Sequence, residues 1–284
     1  MEIQAPAKIN LFLQVVGRRN DGYHELKTLM CCIGLYDTLE MQIGADRNVI
    51  TCSDPNLPCD DANLALKSVI RFNAALAVKT RIVPQNVRIH LTKRIPAGAG
   101  LGGGSSDAAA VLNALNRHYH HPFSREKLLD LALSLGADVP FFIQGRPALA
   151  TGVGEVLLPY DKLQPCGVVV VYPGFGISTS EVFKNLNLGL TKCEKHHRYL
   201  LFGQGKFDMV RHLCNDLETV AVHQFPVIEK IKKELLNQGA KGALMTGSGS
   251  AVFGLFTDTS AARKAADTMA KPVQWQVYVT HLVC

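Results

Sequence analysis

The chain has 284 residues, of which 47% are hydrophobic and 19% are charged. This composition supplies enough apolar surface for packed cores and excludes extended disorder, collagen-like and coiled-coil proteins. At about 100–200 residues per domain, the length predicts two domains. The net charge of +6 is scattered along the chain, so it suits an anionic small molecule at least as well as a nucleic acid.

The cysteines and the apolar runs indicate the compartment. None of the eight cysteines forms a C-x-x-C pair, and no pair has zinc-finger spacing. The apolar run at residues 9–17 is too short to span a membrane, which takes about 20 residues, and no basic segment of a secretory signal precedes it. We therefore expect reduced cysteines in a cytoplasmic protein that has no membrane association.

The first predicted element is a strand over residues 7–15, where apolar residues recur with a period of two. Lys8 and Asn10 project from the same face of this strand. Residues 20–22 predict a turn, and Tyr23 leads into a second extended stretch.

Helical spacing predicts a helix over residues 63–78, and alternation predicts a strand over 87–91. Five glycines then fall among the seven residues 98–104, and a helix is predicted to begin at Ser105. A further helix over 124–135 is followed by a turn into an apolar strand at Pro140.

A domain boundary is predicted near residue 155, where glycines thin the pattern. Because strands and helices mix with few regular β-α-β units, the α+β class is predicted. Beyond the boundary, the predicted elements are a strand at 167–172, a helix that Pro226 begins and Gly239 ends, a strand at 251–256, a helix from about 260 and a last strand around 275–279.

The glycine-rich stretch is the strongest chemical signal. Residues 98–103 match G-x-G-x-x-G, but residues 93–96 separate the first glycine from the preceding strand, and no second strand that ends in an acidic residue follows about 20 residues on, as a dinucleotide-binding fold requires. A Walker A loop is absent. A backbone bare of side chains lets a polyanion approach its N–H groups, and the following helix N-terminus favours negative charge. The stretch therefore predicts a phosphate site, with a flexible loop before an ordinary helix as the alternative.

Three motifs follow one another along the chain: PAKINL (6–11), PAGAGLGGGSS (96–106) and TGSGS (246–250). In this order they resemble the motifs of the GHMP small-molecule kinases, and the likeness spans nearly the whole chain. Three further segments are DGYH (21–24), GADVP (136–140) and GVGE (152–155). They are similar to the subfamily that phosphorylates the 2-hydroxyl of 4-(cytidine 5′-diphospho)-2-C-methyl-D-erythritol in non-mevalonate isoprenoid biosynthesis.

The resemblance implies a two-domain fold with the active site in the cleft between the domains. Residues 1–155 would form an N-terminal ATP-binding domain like domain 2 of ribosomal protein S5, and residues 156–284 the C-terminal GHMP kinase domain. Asp138 would take or orient the proton of the substrate hydroxyl. Lys8 would keep Asp138 ionised and offset charge on the transferred group. Without the resemblance, Asp138 would be a turn or helix cap and Lys8 an exposed strand lysine.

The family also implies ATP and Mg²⁺ as cofactors, with the metal ligands left open. Near the cytidine, Tyr23 and Phe183 would sandwich the base and His24 would bond its edge, although Phe183 could equally be a core residue. Asn10 would bond the polyol, and Thr179 would contact the substrate. The implied ATP-binding residues are Pro96, Ala97, Gly98, Ala99, Gly100, Leu101, Gly102, Gly103, Gly104, Ser105 and Ser106, with Asn63 and Lys93 near the adenine.

Three alternatives stay open at this point. One is a GHMP kinase that acts on homoserine, mevalonate or a sugar. Another is a basic RNA-binding module, for which residues 192–198 form the only modest basic tract. The last is a nicotinamide oxidoreductase. The expected partner is a small-molecule substrate, with no nucleic acid and no membrane, and the oligomeric state is open.

Overall fold

The computed structural model describes residues 1–187, 193, 207–208, 211–269 and 275–284. Among these residues no helix is long and apolar enough to cross a bilayer. The basic tract at 192–198 lies outside the described residues, apart from position 193. The strands are β1 (Glu2–Arg18), β2 (His24–Ala45), β3 (Val49–Cys52), β4 (Asn86–Thr92), β5 (Ala148–Gly152), β6 (Val156–Pro159), β7 (Gly167–Tyr172), β8 (Cys214–Asn215), β9 (Gly242–Met245), β10 (Val252–Phe256) and β11 (Gln276–Val283). The helices are α1 (Leu64–Lys79), α2 (Gly103–His118), α3 (Arg125–Leu133), α4 (Val139–Gln144), α5 (Thr179–Lys184), α6 (Glu218–Gln224), α7 (Val227–Asn237) and α8 (Thr259–Met269).

The chain divides into two compact units that alternate along the sequence. The first unit comprises residues 1–7, 36–95 and 102–145, and the second comprises 8–35, 96–101 and 146–284. Strands β1 and β2 each contribute residues to both units. The glycine-rich stretch is also divided, because its residues up to Leu101 belong to the second unit and those from Gly102 to the first.

The first unit contains a sheet and a group of helices that pack against one another. The second half of β2 pairs antiparallel with β4, and β3 runs parallel to β4. Helix α1 packs against α2, and α2 packs against α4. Buried apolar residues on one side of α1, among them Phe72, form this core, and the Phe72 ring meets the Phe123 ring edge-on with centroids 5.1 Å apart.

Helix α2 begins at Gly103, two residues before the predicted start at Ser105, with Gly102 as its left-handed N-cap (φ 72°). A Cβ on Gly103 would lie 3.1 Å from both the Ile95 side chain and Lys93 Nζ. A side chain at the first position of this helix would therefore crowd both neighbours, and glycine avoids that crowding.

The strand predicted after Pro140 is wrong, because these residues form α4. Pro140 lies in the first turn of this helix, where a missing N–H leaves no hydrogen bond unmade. Phe141 and Phe142 are buried, and Gly145 ends the helix in the left-handed conformation (φ 70°). A short apolar run suits a buried helix as well as a buried strand, and here its packing against α2 decides for the helix.

The second unit contains antiparallel strands around β7, whose residues Val168 to Val171 are completely buried. Strand β7 pairs with β10 on one side and β11 on the other, and β9 pairs with β10. The first half of β2 pairs with β5, which also pairs with β6. Helices and largely antiparallel strands therefore occur in both units, which confirms the predicted α+β class.

Two of the cysteines are joined, so the prediction of reduced cysteines is wrong for Cys193 and Cys214. Strand β8 pairs with β1 at Phe12, which fixes the position of Cys214. The backbone N–H of Cys193 donates to Asp216 Oδ1 (3.1 Å), which brings its sulfur to β8. The two cysteines are 21 positions apart, and no local spacing pattern marks them as partners. Among the described residues the other six cysteines are free.

Candidate active site

Three segments that are distant in sequence meet in the second unit. They are the region of β1 around Lys8, the loop at residues 98–101 (the glycine loop) and the loop at residues 246–250 (the serine loop). The backbone N–H of Lys8 donates to the Leu101 carbonyl (2.9 Å). The backbone N–H of Ala251, which follows the serine loop, donates to the Ala99 carbonyl (3.1 Å). Parts of the three predicted motifs therefore form one hydrogen-bonded cluster.

The glycine at position 100 is required by contact between two loops. Gly100 has φ 78°, and a Cβ there would lie 2.1 Å from the Thr246 carbonyl oxygen. The Thr246 hydroxyl in turn donates to the Gly100 carbonyl (3.3 Å). The sequence interpretation attributed all these glycines to the approach of a polyanion, whereas at Gly100 the close packing against the serine loop is sufficient reason.

A buried chain of polar side chains extends from Lys8. Lys8 Nζ donates to Asn10 Oδ1 (2.6 Å), and Asn10 Nδ2 donates to Thr28 Oγ1 (2.8 Å). The exposed fractions of Lys8, Asn10 and Thr28 are only 3%, 2% and 2%. The structure therefore brings together two of the predicted site residues, and it adds Thr28, which carries no motif by which the sequence could have revealed it.

Asn215 holds the serine loop through two hydrogen bonds. The Asn215 side-chain amide donates to the carbonyls of Met245 and Gly247, each at 2.8 Å. The hydroxyls of Ser248 and Thr179 lie 2.8 Å apart, so the predicted substrate contact Thr179 adjoins the third motif. Asn215 was missed, because a polar Asn-Asp pair in a sequence indicates no more than a turn.

The predicted base-recognition residues His24 and Phe183 are in contact. Their rings stack with centroids 4.9 Å apart and an interplanar angle of 22°. Burial, together with the charge of Arg18, lowers the pKa of His24, which favours the neutral ring with its one donor and one acceptor. Tyr23 is exposed, and the ring that lies on Phe183 is His24 rather than Tyr23.

In the first unit, Lys93 lies between two buried carboxylates. Lys93 Nζ contacts Asp37 Oδ2 and lies 3.0 Å from Asp107 Oδ2. Asp37 also accepts hydrogen bonds from the backbone N–H groups of Arg94 (2.6 Å) and Ile95 (2.9 Å). The ammonium of Lys93, which was predicted to lie near the adenine, is therefore engaged in an internal ion triad.

The ion triad shifts the titration of its members. Burial raises the pKa of Asp107 to about 7; the charge of Asp37 adds to this effect, and Lys93 opposes it. Burial disfavours the charged ammonium of Lys93, but the two carboxylates outweigh this effect and raise the pKa of Lys93. Asp37 accepts three hydrogen bonds, and Asp107 Oδ2 accepts one from Lys93.

Two buried oxygens near the start of α2 lack hydrogen-bond partners in the described part of the chain. They are Ser106 Oγ and Asp107 Oδ1. An unpaired buried polar atom is costly in free energy, so these oxygens are suited to a ligand. The one group of three possible metal-binding side chains among the described residues, Cys193, Cys214 and Asp216, has both of its sulfurs in the disulfide.

The remaining predicted residues of the first unit occupy helix N-termini. Asn63 caps α1, because its Oδ1 accepts from the Ala65 N–H (3.0 Å), while its Nδ2 donates to the Pro58 carbonyl (2.9 Å). Asp138 is the N-cap residue of α4 but makes no side-chain capping bond to it, so local capping does not account for this carboxylate.

Comparison with known proteins gives concordant matches. The family pattern described as the GHMP kinases N terminal domain matches residues 63–146, and that described as GHMP kinases C terminal matches 195–274. A 4-diphosphocytidyl-2-C-methyl-D-erythritol kinase from Syntrophotalea carbinolica is 43% identical over 98% of both chains. One from Desulfotalea psychrophila is 41% identical over 90% of this chain and 85% of its own length.

Solved structures give the same result. The crystal structure of a 4-(cytidine 5′-diphospho)-2C-methyl-D-erythritol kinase has a TM-score of 0.82 and 38% identity over the whole of both chains. The mevalonate kinase of Methanococcus jannaschii has a TM-score of 0.70 at 16% identity, covering 100% of this chain and 98% of its own. The second likeness concerns the fold alone.

Proposed function

The chain belongs to the GHMP kinases, with their two-domain fold of mixed helices and sheets, and from this membership we propose that it phosphorylates 4-(cytidine 5′-diphospho)-2-C-methyl-D-erythritol. The reaction transfers the γ-phosphoryl group of ATP to the 2-hydroxyl and gives the 2-phospho derivative and ADP, a step of non-mevalonate isoprenoid biosynthesis. The observation that carries the proposal is the identity of 43% over 98% of both chains to a kinase named for this substrate.

The phosphates of ATP are proposed to bind at the glycine-rich stretch and the N-terminus of α2. Helix α2 spans 16 residues and begins at a glycine, so its first N–H groups are not screened by a side chain at that position. The dipole of the helix and these N–H groups favour an anion. ATP is the phosphate donor of this family, and the backbone of residues 96–106 is proposed to contact it.

Asp138 and Lys8 are proposed as the catalytic pair. As the substrate oxygen attacks the γ-phosphorus, its proton passes to the Asp138 carboxylate and the bond to the leaving ADP oxygen breaks. Phosphoryl transfer depends mainly on positioning and charge stabilisation. The ammonium of Lys8 is proposed to offset the negative charge on the transferred group, and its bond to Asn10 Oδ1 (2.6 Å) supports a fixed position.

Mg²⁺ is proposed as the metal that accompanies ATP, because a divalent cation neutralises charge on the β- and γ-phosphates. Ser106 Oγ and Asp107 Oδ1 fit such a cation. Both are buried oxygens near the helix N-terminus that lack hydrogen-bond partners within the described residues, and Mg²⁺ prefers oxygen ligands. From this chain, these two side chains are the candidates to hold it.

The cytidine end is proposed to be recognised by His24, Phe183 and Tyr23. A neutral His24 can bond the edge of cytosine, and Phe183 and the exposed Tyr23 can supply ring faces. Thr179 and Asn10 are proposed to contact the polyol, and Asn63 and Lys93 to lie on the nucleotide side. We further propose that the protein acts in the cytoplasm on a small molecule rather than a nucleic acid. The two GHMP kinase domains, as distinct from the two compact units described above, are proposed to divide at residue 155.

A coupled ADP-release assay tests the proposal. ADP release is expected with 4-(cytidine 5′-diphospho)-2-C-methyl-D-erythritol and is not expected with homoserine, mevalonate or galactose at the same concentration. The matched control is the same substrate lacking its 2-hydroxyl, which should bind without being phosphorylated. Faster ADP release with one of the other alcohols, or equal release with the deoxy analogue, would overturn the substrate assignment.

A further inference from the structure

The Thr28 hydroxyl donates its single proton to a backbone carbonyl. Thr28 Oγ1 donates to the Phe12 carbonyl at 2.6 Å, and a carbonyl oxygen can only accept. A hydroxyl has one proton, so towards its other neighbour Thr28 can act only as an acceptor. That neighbour is the side-chain amide of Asn10, at 2.8 Å.

The hydrogen bond from Thr28 to Phe12 determines the orientation of the Asn10 side-chain amide. Its NH₂ group must point to Thr28, so its oxygen points to Lys8 Nζ (2.6 Å). An ammonium carries donors only. A reversed amide would place N–H groups against the ammonium of Lys8 and leave the amide oxygen facing Thr28.

Burial makes this orientation matter. Lys8, Asn10 and Thr28 are each at most 3% exposed, so bulk water cannot replace a lost bond, and an unsatisfied buried polar group costs more than an exposed one. The backbone N–H of Asn10 donates to Thr246 Oγ1 (3.0 Å), which holds the main chain still while the amide can rotate about its side-chain bonds.

We propose that Thr28 is a positioning residue for phosphoryl transfer: its hydroxyl fixes the amide orientation of Asn10, and Asn10 in turn holds the ammonium of Lys8 in place. The proposal rests on the catalytic role proposed for Lys8, and Thr28 acts through Asn10 rather than on the reacting atoms.

Thr28→Val, which replaces the hydroxyl by a methyl group of similar size, is the test variant. It is expected to lower kcat about tenfold, the effect of one buried hydrogen bond, with the KM for ATP within about twofold. Thr28→Ser keeps the hydroxyl and should restore most of kcat. Thr280→Val is the matched control, because Thr280 is also a buried strand residue of the second unit and its hydroxyl has no partner among the described residues.

A double-mutant cycle with Asn10→Asp isolates the mechanism. A carboxylate presents an oxygen to Lys8 in either orientation, so Thr28→Val should change kcat less than about twofold in that background. An NMR spectrum gives a readout besides activity. The slowly exchanging side-chain NH₂ signal of Asn10, assigned by its absence in Asn10→Asp, should shift and exchange faster in Thr28→Val but not in Thr28→Ser.

The outcomes separate the two proposals. Wild-type protein that does not phosphorylate the cytidine diphosphate substrate overturns the proposed function, and an active Lys8→Ala variant overturns the role of Lys8. An active wild type whose Thr28→Val variant keeps its kcat, or shows the same loss in the Asn10→Asp background, overturns the positioning role alone. If Thr28→Val fails to fold, as judged by circular dichroism, Thr28→Ala takes its place in the same cycle.

Discussion

The contact between the glycine loop and the serine loop predicts that Gly100→Ala damages the protein more than its backbone angle alone would. Two effects add at this position. An alanine at φ 78° takes on the strain of the left-handed region, which is roughly 1–2 kcal/mol. Its Cβ would also lie 2.1 Å from the Thr246 carbonyl oxygen, so the loops must separate, as in an overpacked core, at a further cost of about 1–3 kcal/mol.

Gly239→Ala provides the matched control for this prediction. Gly239 follows α7 in the same unit with φ 92°, and a Cβ there would meet nothing within 4 Å. Only the conformational strain remains, so this variant should lose about 1–2 kcal/mol. The difference between the two variants then measures the contact between the loops and should be at least about 1 kcal/mol.

The measurements are the thermal midpoint by calorimetry and the steady-state constants by ADP release. Gly100→Ala should also lower kcat, because the neighbouring Leu101 carbonyl holds the backbone N–H of Lys8, whereas Gly239→Ala should keep the wild-type kcat. Equal loss of stability in the two variants would show that the loops do not press on each other at Gly100. If Gly100→Ala kept the wild-type kcat, the contact between the two loops would not be needed to hold Lys8 in its position.

Three other predictions follow from the same geometry. Lys8→Ala and Asp138→Asn should each lower kcat by at least about 100-fold with the fold retained by circular dichroism; near-wild-type rates would contradict their roles. Because the pKa of Asp107 is raised from 3.8 to about 7, its folded form holds a proton more tightly, so this group's contribution to stability is lost as pH rises between these values. Asp107→Asn should therefore gain in melting temperature over wild type from about pH 4 to pH 7, and parallel melting curves would refute the buried-carboxylate argument. Asn63→Ala removes the cap of α1 and should cost about 1 kcal/mol, while an accompanying rise in KM for ATP would support the proposed nucleotide contact and an unchanged KM would speak against it.

Elements with a strong local pattern could be predicted closely. The strand predicted at 167–172 is β7, and the helix predicted at 63–78 is α1, shifted by one residue. Alternation and helical spacing are properties of contiguous residues, so these elements could be predicted without knowledge of the rest of the chain. The prediction of a strand after Asp138 was wrong because this run of residues is short and apolar throughout. Only its packing against α2 distinguishes a helix from a strand here.

The roles of single polar residues were harder to foresee. Lys93 lies 56 positions from Asp37 and 14 from Asp107, and nothing near it in sequence announces that both carboxylates meet at its Nζ. Thr28 and Asn215 were missed for the same reason, since each acts through bonds to segments elsewhere in the chain.

By itself, the sequence determined the family, the mixed fold class and the residue types suited to phosphoryl transfer, because these depend on motif order and on the chemistry of side chains. Only the tertiary structure decided that Cys193 forms a disulfide with Cys214, that the backbone of Thr246 packs where a side chain at position 100 would lie and that the Asn10 amide oxygen accepts from Lys8. Each of these depends on atoms brought within bonding distance by strand pairing and loop packing, and such distances are set by the whole fold rather than by neighbours in the chain.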